Sequence, residues 1–135
     1  MVKIILVTHG NLAQEMLNTA AQIIGKPADE GFAVFSVTAA ASVEKEAEKL
    51  KKTLITCADG AVILTDIFGG SATNISLTAC KEVPNCHVIT GLNLSMLLTA
   101  INSRKKLSAK ELAEKIEPDG KRAVINATEL LIKGF

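Results

Sequence analysis

Aromatic side chains are scarce in this sequence, which has no tryptophan, no tyrosine and only four phenylalanines among 135 residues. A site that sandwiches a flavin between large rings has little to be built from. An excess of charge of either sign is missing too. Lysine and arginine total 15 against 14 acidic residues, a net charge of +1, so no broad field draws in nucleic acid or an anionic membrane. Any phosphate handled here has to be gripped locally. No apolar run is long enough to span a bilayer. The opening run, Val2 to Val7, turns polar at Thr8, His9 and Gly10, too soon for a signal segment, and the expected compartment is the cytoplasm. Cys57, Cys80 and Cys86 are odd in number and widely spaced. Reduced, buried thiols are expected rather than a disulfide framework. Cys80, Cys86 and His87 lack a CxxC pair or a fourth ligand beside them, so no metal is expected. The chain also has no GxxxxGK[ST] loop, and neither a cofactor nor direct use of a nucleoside triphosphate is suggested.

What is present is apolar material in a regular rhythm. The 48% hydrophobic content suffices for one well-buried core, and the whole of residues 1–135 reads as a single domain. Four short apolar runs alternate with longer amphipathic stretches: Lys3 to Thr8, Phe32 to Val37, Ala61 to Thr65 and Cys86 to Thr90. That alternation is the pattern of βαβ units. It predicts an α/β fold, doubly wound, with a mostly parallel central sheet of four strands and helices on both faces. Helices are expected over Asn11 to Ile24 with a stop at Gly25-Lys26-Pro27, from Ser42 as cap through Lys52, from Ala72 to Glu82, and from Asn93 through Ile101. Ser108-Ala109-Lys110-Glu111 has the form of a capping box, with a helix to about Ile116. Pro118-Asp119-Gly120 is expected to break it. Ala123 to Ala127 then reads as a short C-terminal strand, and the rest as a tail.

Ligands of such sheets bind beyond the carboxyl ends of the strands, where helix N-termini converge. That edge carries Thr8-His9-Gly10, Thr38, Asp66 to Ser71, and Gly91 to Asn93. His9 sits where a strand hands over to a helix. A neutral imidazole attacks phosphorus well when one ring nitrogen donates to a carboxylate, leaving the other lone pair free, and Asp66 is the acidic residue placed to serve. Gly69 and Gly70 let the backbone fold into a nest of amides, to which Ser71 adds a hydroxyl. Phosphoryl transfer needs such donors around its oxygens. Each element alone has a plainer reading: a lone histidine as hydrogen-bonded scaffold, which is how His87 is taken, an Asp as a cap, Gly-Gly-Ser as a tight connection. Their meeting at one edge favours a phosphohistidine site.

Three segments then carry a resemblance over essentially the whole length. Ile5-Leu6-Val7-Thr8-His9-Gly10, Thr65-Asp66-Ile67-Phe68-Gly69-Gly70-Ser71 with Asn74, and Gly91-Leu92-Asn93-Leu94-Ser95-Met96-Leu97 resemble the motifs of enzyme IIA of the mannose-type sugar phosphotransferase system. The resemblance implies a phosphotransferase component in which His9 takes a phosphoryl group from phosphorylated HPr. Asp66 would hold the other ring nitrogen, and Gly69, Gly70 and Ser71 the phosphate. It implies transfer onward to an enzyme IIB partner during sugar uptake, and a homodimer whose C-terminal strand, here Ala123 to Ala127, crosses antiparallel to the partner's sheet. The chain departs from the pattern at Ala72 and Thr73, where Pro and an apolar or aromatic residue are usual, and at Ser95, where Pro is common. A regulatory phosphoacceptor and a dihydroxyacetone-kinase phosphodonor resemble the same family. A histidine phosphatase resembles Arg-His-Gly, but Thr8 stands at the arginine's place and His87 would have to be its second histidine. A flavodoxin-like module is the remaining rival, and a receiver domain lacks its acidic pair.

Overall fold

The computed structural model describes residues 1–26 and 31–134. In chain order the elements are β1 (Lys3–His9), α1 (Leu12–Ile24), β2 (Phe32–Val37), α2 (Val43–Leu54), β3 (Ala61–Thr65), α3 (Ser71–Cys80), β4 (Cys86–Ile89), α4 (Leu94–Ser103), α5 (Ala109–Arg122) and α6 (Ala127–Lys133). The four strands are all parallel and lie in the order β2-β1-β3-β4.

Strand periodicity decides the layering. Successive side chains point to opposite faces, and β1 and β3 are apolar on both, as a strand covered twice must be. Ile4, Leu6, Val62 and Leu64 pack with Ala13 and Leu17 of α1, Leu97 of α4 and Leu112 and Ile116 of α5. Ile5, Val7 and Ile63 pack on the other face with Leu50 and Leu54 of α2 and Ile75 and Ala79 of α3. Each Val, Leu or Ile among them, fully buried, contributes about 1.5–3 kcal/mol. The expected α/β sheet with helices on both faces is thus what forms.

Helix ends follow their caps. Ser42 Oγ accepts from Lys45 N at 3.4 Å. Ser108 and Glu111 form both bonds of the capping box, at 3.1 and 3.0 Å. Gly25, at φ +87°, closes α1 in the left-handed conformation with its amide on Ala21 O. Pro27, expected to share in that stop, lies outside the described residues.

The C-terminal third differs from the expectation. Pro118, Asp119 and Gly120 do not break α5, which continues to Arg122. Gly120 sits where any Cβ would overlap Met96 of α4, Asn93 Nδ2 donates to Gly120 O at 3.1 Å, and Thr99 Oγ1 donates to Asp119 at 2.9 Å. Tertiary contacts with α4 thereby outweigh the local breaker signal. Residues 124–126 pair with no strand of the chain's own sheet, and the tail turns into α6, capped by Asn126 Oδ1 on Glu129 N. The fifth strand is therefore not formed among the described residues. Cys80 and Cys86 are also not the reduced thiols expected: they are disulfide-bonded, with Cα atoms 5.6 Å apart. The reason is topological, since α3 ends and β4 begins within a short connection at one end of the sheet, bringing residues six apart into reach. Cys57 is a free thiol whose pKa burial pushes up.

Candidate functional site

From β1 the chain passes through α1 to β2 on one side, and from β3 through α3 to β4 on the other. The strand order therefore reverses between β1 and β3, and a crevice opens beyond their carboxyl ends. His9 is the last residue of β1, and Asp66 immediately follows β3. The two expected partners meet there.

Their contact is close and doubled. Asp66 Oδ2 lies 2.8 Å from His9 Nδ1 and also accepts from the His9 backbone amide at 2.8 Å. Asp66 Oδ1 accepts from Ile67 N at 2.9 Å. The carboxylate side chain is 8% exposed and the imidazole 46%, so the anion is sheltered while the ring reaches solvent. Burial pushes the Asp66 pKa up, but the amide and ring of His9 and the Ile67 amide together outweigh it, and the group is held below its ordinary value of 3.8. An ionised Asp66 accepts a proton-bearing Nδ1 and leaves Nε2 with a free lone pair.

Gly69 and Gly70 carry the turn from Asp66 to α3. Gly69 adopts φ +81°, open to glycine and costly to other residues. Gly70 caps α3, and a Cβ there would come 3.3 Å from His9 Cε1, so the turn lies against the edge of the ring. The first intrahelical bond of α3 is Asn74 N to Gly70 O, at 3.0 Å. The amides of Ser71, Ala72 and Thr73 precede it and lie at the positive end of the helix. Ser71 is exposed at that mouth. His9, Asp66, Gly69, Gly70 and Ser71 are thus neighbours at one edge.

Other expected edge residues serve differently. Asn93 Oδ1 accepts from Met96 N at 2.9 Å and so caps α4. The backbone of the third segment reaches the site instead, through Leu92 N on Thr65 O at 2.9 Å. His87 is level with Val62 and Ile4, five residues before His9 along β1, or about 16 Å at the usual strand rise. Its Nε2 is buried with no hydrogen-bond partner among the described residues, so it is not the hydrogen-bonded scaffold expected. Arg104 is buried at the opposite end, with Nη1 on Val2 O at 3.1 Å and its guanidinium 4.8 Å over Phe32. Arg122 pairs with Asp119 on its own helix. Neither is positioned as a phosphatase clamp on His9.

Three threonines at the site carry roles that the residue pattern alone did not reveal. Thr8 Oγ1 accepts from Ala13 N at 2.9 Å, fixing the start of α1 from inside the sheet. Thr65 and Thr73, 0% and 1% exposed, bring their hydroxyls to 2.9 Å of each other, and Thr73 Oγ1 donates to Ile67 O at 2.6 Å. The signal available was a threonine at or next to the end of β1 and of β3, just before the turn. Leu12, Ile67 and Phe68 are exposed apolar residues near His9 in the chain or in the loop after Asp66, with Phe68 at 78%.

Comparison with known proteins identifies relatives of the chain. The family described as the PTS system fructose IIA component matches residues 3–117. The mannose-specific EIIAB component of the phosphotransferase system from Escherichia coli strain K12 is 29% identical over 105 residues, 76% of this chain. The chain spans about a third of such curated relatives, the match covering 32% of their length. Among solved structures, the phosphotransferase component EIIA of Streptococcus agalactiae superposes with a TM-score of 0.85 at 28% identity, over 96% of this chain and 99% of that one. The mannose/sorbose specific IIA subunit of Enterococcus faecalis gives 0.81 at 31% identity, over 93% of each. The strand order, the edge at which His9 and Asp66 meet and these matches lead to one conclusion: the chain belongs to the mannose-type enzyme IIA family of the phosphotransferase system.

Proposed function

We propose that this chain is a phosphocarrier that takes a phosphoryl group onto Nε2 of His9 from phosphorylated HPr and passes it to an enzyme IIB partner during sugar uptake. The observation that carries the reading is the 2.8 Å contact of His9 Nδ1 with Asp66 Oδ2 beneath a half-exposed ring. In the step, the bond from phosphorus to the donor breaks as the bond to Nε2 forms. The ring keeps its Nδ1 proton and becomes cationic. The sheltered Asp66 carboxylate offsets that charge, and its position costs no reorganisation during transfer. The Gly69-Gly70 turn would bring the Ser71 hydroxyl and the first amides of α3 to the equatorial oxygens.

Exposed Leu12, Ile67 and Phe68 support docking by protein partners at this edge. Val124 and Ile125, 83% and 60% exposed, together with the outer edge of β4, which no described strand pairs, support a homodimer in which this segment crosses to the partner's sheet. A cytoplasmic location and a single domain over 1–135 belong to the same reading. The test is intact-protein mass after incubation with phosphoenolpyruvate, enzyme I and HPr. One acid-labile phosphoryl group should appear on the wild type and none on His9→Ala. No gain on the wild type while HPr is phosphorylated would refute the reading.

A further inference from the structure

From the buried pair Thr65 and Thr73 we infer that Thr73 is a positioning residue for His9, acting through the backbone of Ile67 on the carboxylate of Asp66. A hydroxyl has one proton to give, and here its direction is determined. Ile67 O can only accept, so Thr73 Oγ1 spends its own proton on it at 2.6 Å and accepts from the Thr65 hydroxyl at 2.9 Å. The two hydroxyls form a directed chain, each bond polarising the next in a buried setting. Both side chains are essentially inaccessible, at 0% and 1%.

Ile67 is the link. Its carbonyl is held by Thr73 and also accepts from Gly70 N at 3.3 Å, while its amide donates to Asp66 Oδ1 at 2.9 Å. One residue thus fixes both the carboxylate and the glycine that lies against His9 Cε1. Ile67 is itself 63% exposed, so packing of its own side chain cannot hold this backbone. The Thr73 hydroxyl, rooted in the first turn of α3, anchors it instead. Without the hydroxyl, Ile67 O keeps only the longer bond from Gly70 N, the Ile67 peptide holds Asp66 Oδ1 less firmly, and the alignment of Oδ2 on Nδ1 that selects the ring tautomer loosens.

The test compares wild type, Thr73→Val and Thr73→Ser by 15N NMR of the His9 ring in mildly alkaline buffer, with thermal melting as the folding control. Phosphoryl uptake from phosphorylated HPr is measured alongside. In Thr73→Val the two ring nitrogen shifts should move toward the average of the tautomers, and uptake should slow about tenfold, less than the ~10²-fold that a 1 Å misplacement can cost. Thr73→Ser should restore both. A folded Thr73→Val with unchanged ring shifts overturns the inference, whatever the rate, and so does a Thr73→Ser that behaves like the valine variant. If Thr73→Val does not fold, Thr73→Ala is read in the same way. The rate arm rests on the carrier reading, whereas the NMR arm does not. Ring shifts that respond in a protein no donor phosphorylates would leave this inference standing and remove that reading.

Discussion

Oδ2 of Asp66 serves His9 twice, holding the ring through Nδ1 and the backbone through its amide, both at 2.8 Å. A single carboxylate oxygen therefore locks where the ring sits and which nitrogen it presents. Replacing it with a neutral amide of the same shape tests how much that is worth. Asp66→Asn is expected to fold and to accept phosphoryl groups roughly 10²-fold more slowly, through misorientation of the ring and loss of the counter-charge. Rapid-quench phosphorylation of the two proteins at equal HPr concentration checks it, and a rate within twofold of wild type would count against the assigned role.

The same contact has a pH signature. Asp66 titrates below its ordinary 3.8 in the folded protein. Its contribution to stability is therefore present above the unfolded-state value and lost as pH falls through the folded one. Urea unfolding from about pH 6 to about pH 3 should show wild type more stable than Asp66→Asn at the upper end, with the gap closing on acidification. A gap that widens toward acid would contradict the sign.

Gly69 and Gly70 are expected to fail differently. Gly69→Ala places a side chain at φ +81° in open space and should cost about 1–2 kcal/mol of stability through backbone strain. Gly70→Ala keeps an allowed φ of −82° and should cost about 0.5–1 kcal/mol from the weaker cap, yet it sets a methyl 3.3 Å from His9 Cε1. Gly69→Ala should unfold at lower urea, and Gly70→Ala should be the slower phosphoryl acceptor.

Gly120→Ala sets propensity against packing. Alanine gains about 1 kcal/mol in a helix interior, but its Cβ would lie 2.8 Å from Met96 Sδ, and Met96 is 3% exposed. Overpacking of this kind costs about 1–3 kcal/mol. Net destabilisation by urea denaturation is expected, whereas a stabilised variant would show that α4 and α5 can part at little cost.

The exposed tail supplies the test of assembly. Sedimentation of the wild type at micromolar concentration should show a dimer, and Val124→Asp combined with Ile125→Asp should shift it to monomer. A monomeric wild type would refute the crossing segment.

Much of this molecule was legible without coordinates. Four apolar runs of strand length, separated by amphipathic stretches, specify a parallel sheet clad on both faces, because strands buried twice must be apolar throughout. Ser42 and the Ser108 and Glu111 pair mark helix starts because side-chain oxygens must satisfy free amides nearby, a requirement met within three residues. His9, Asp66 and the Gly69-Gly70-Ser71 turn could be placed together because parallel strands bring their following turns to one edge.

What only the tertiary structure decided depends on how separate elements meet. Gly120 stays in a helix because Asn93, which caps α4, and Thr99 within α4 hold this turn, and it must be glycine because Met96 leaves no room for a Cβ. Cys80 meets Cys86 because α3 ends where β4 begins. Thr65 and Thr73 share a proton chain because the strand and the helix meet side by side. Local patterning states which elements form and where their chemistry gathers. The close contacts between elements, at distances that periodicity does not encode, decide how the elements end and what holds the ring of His9 in place.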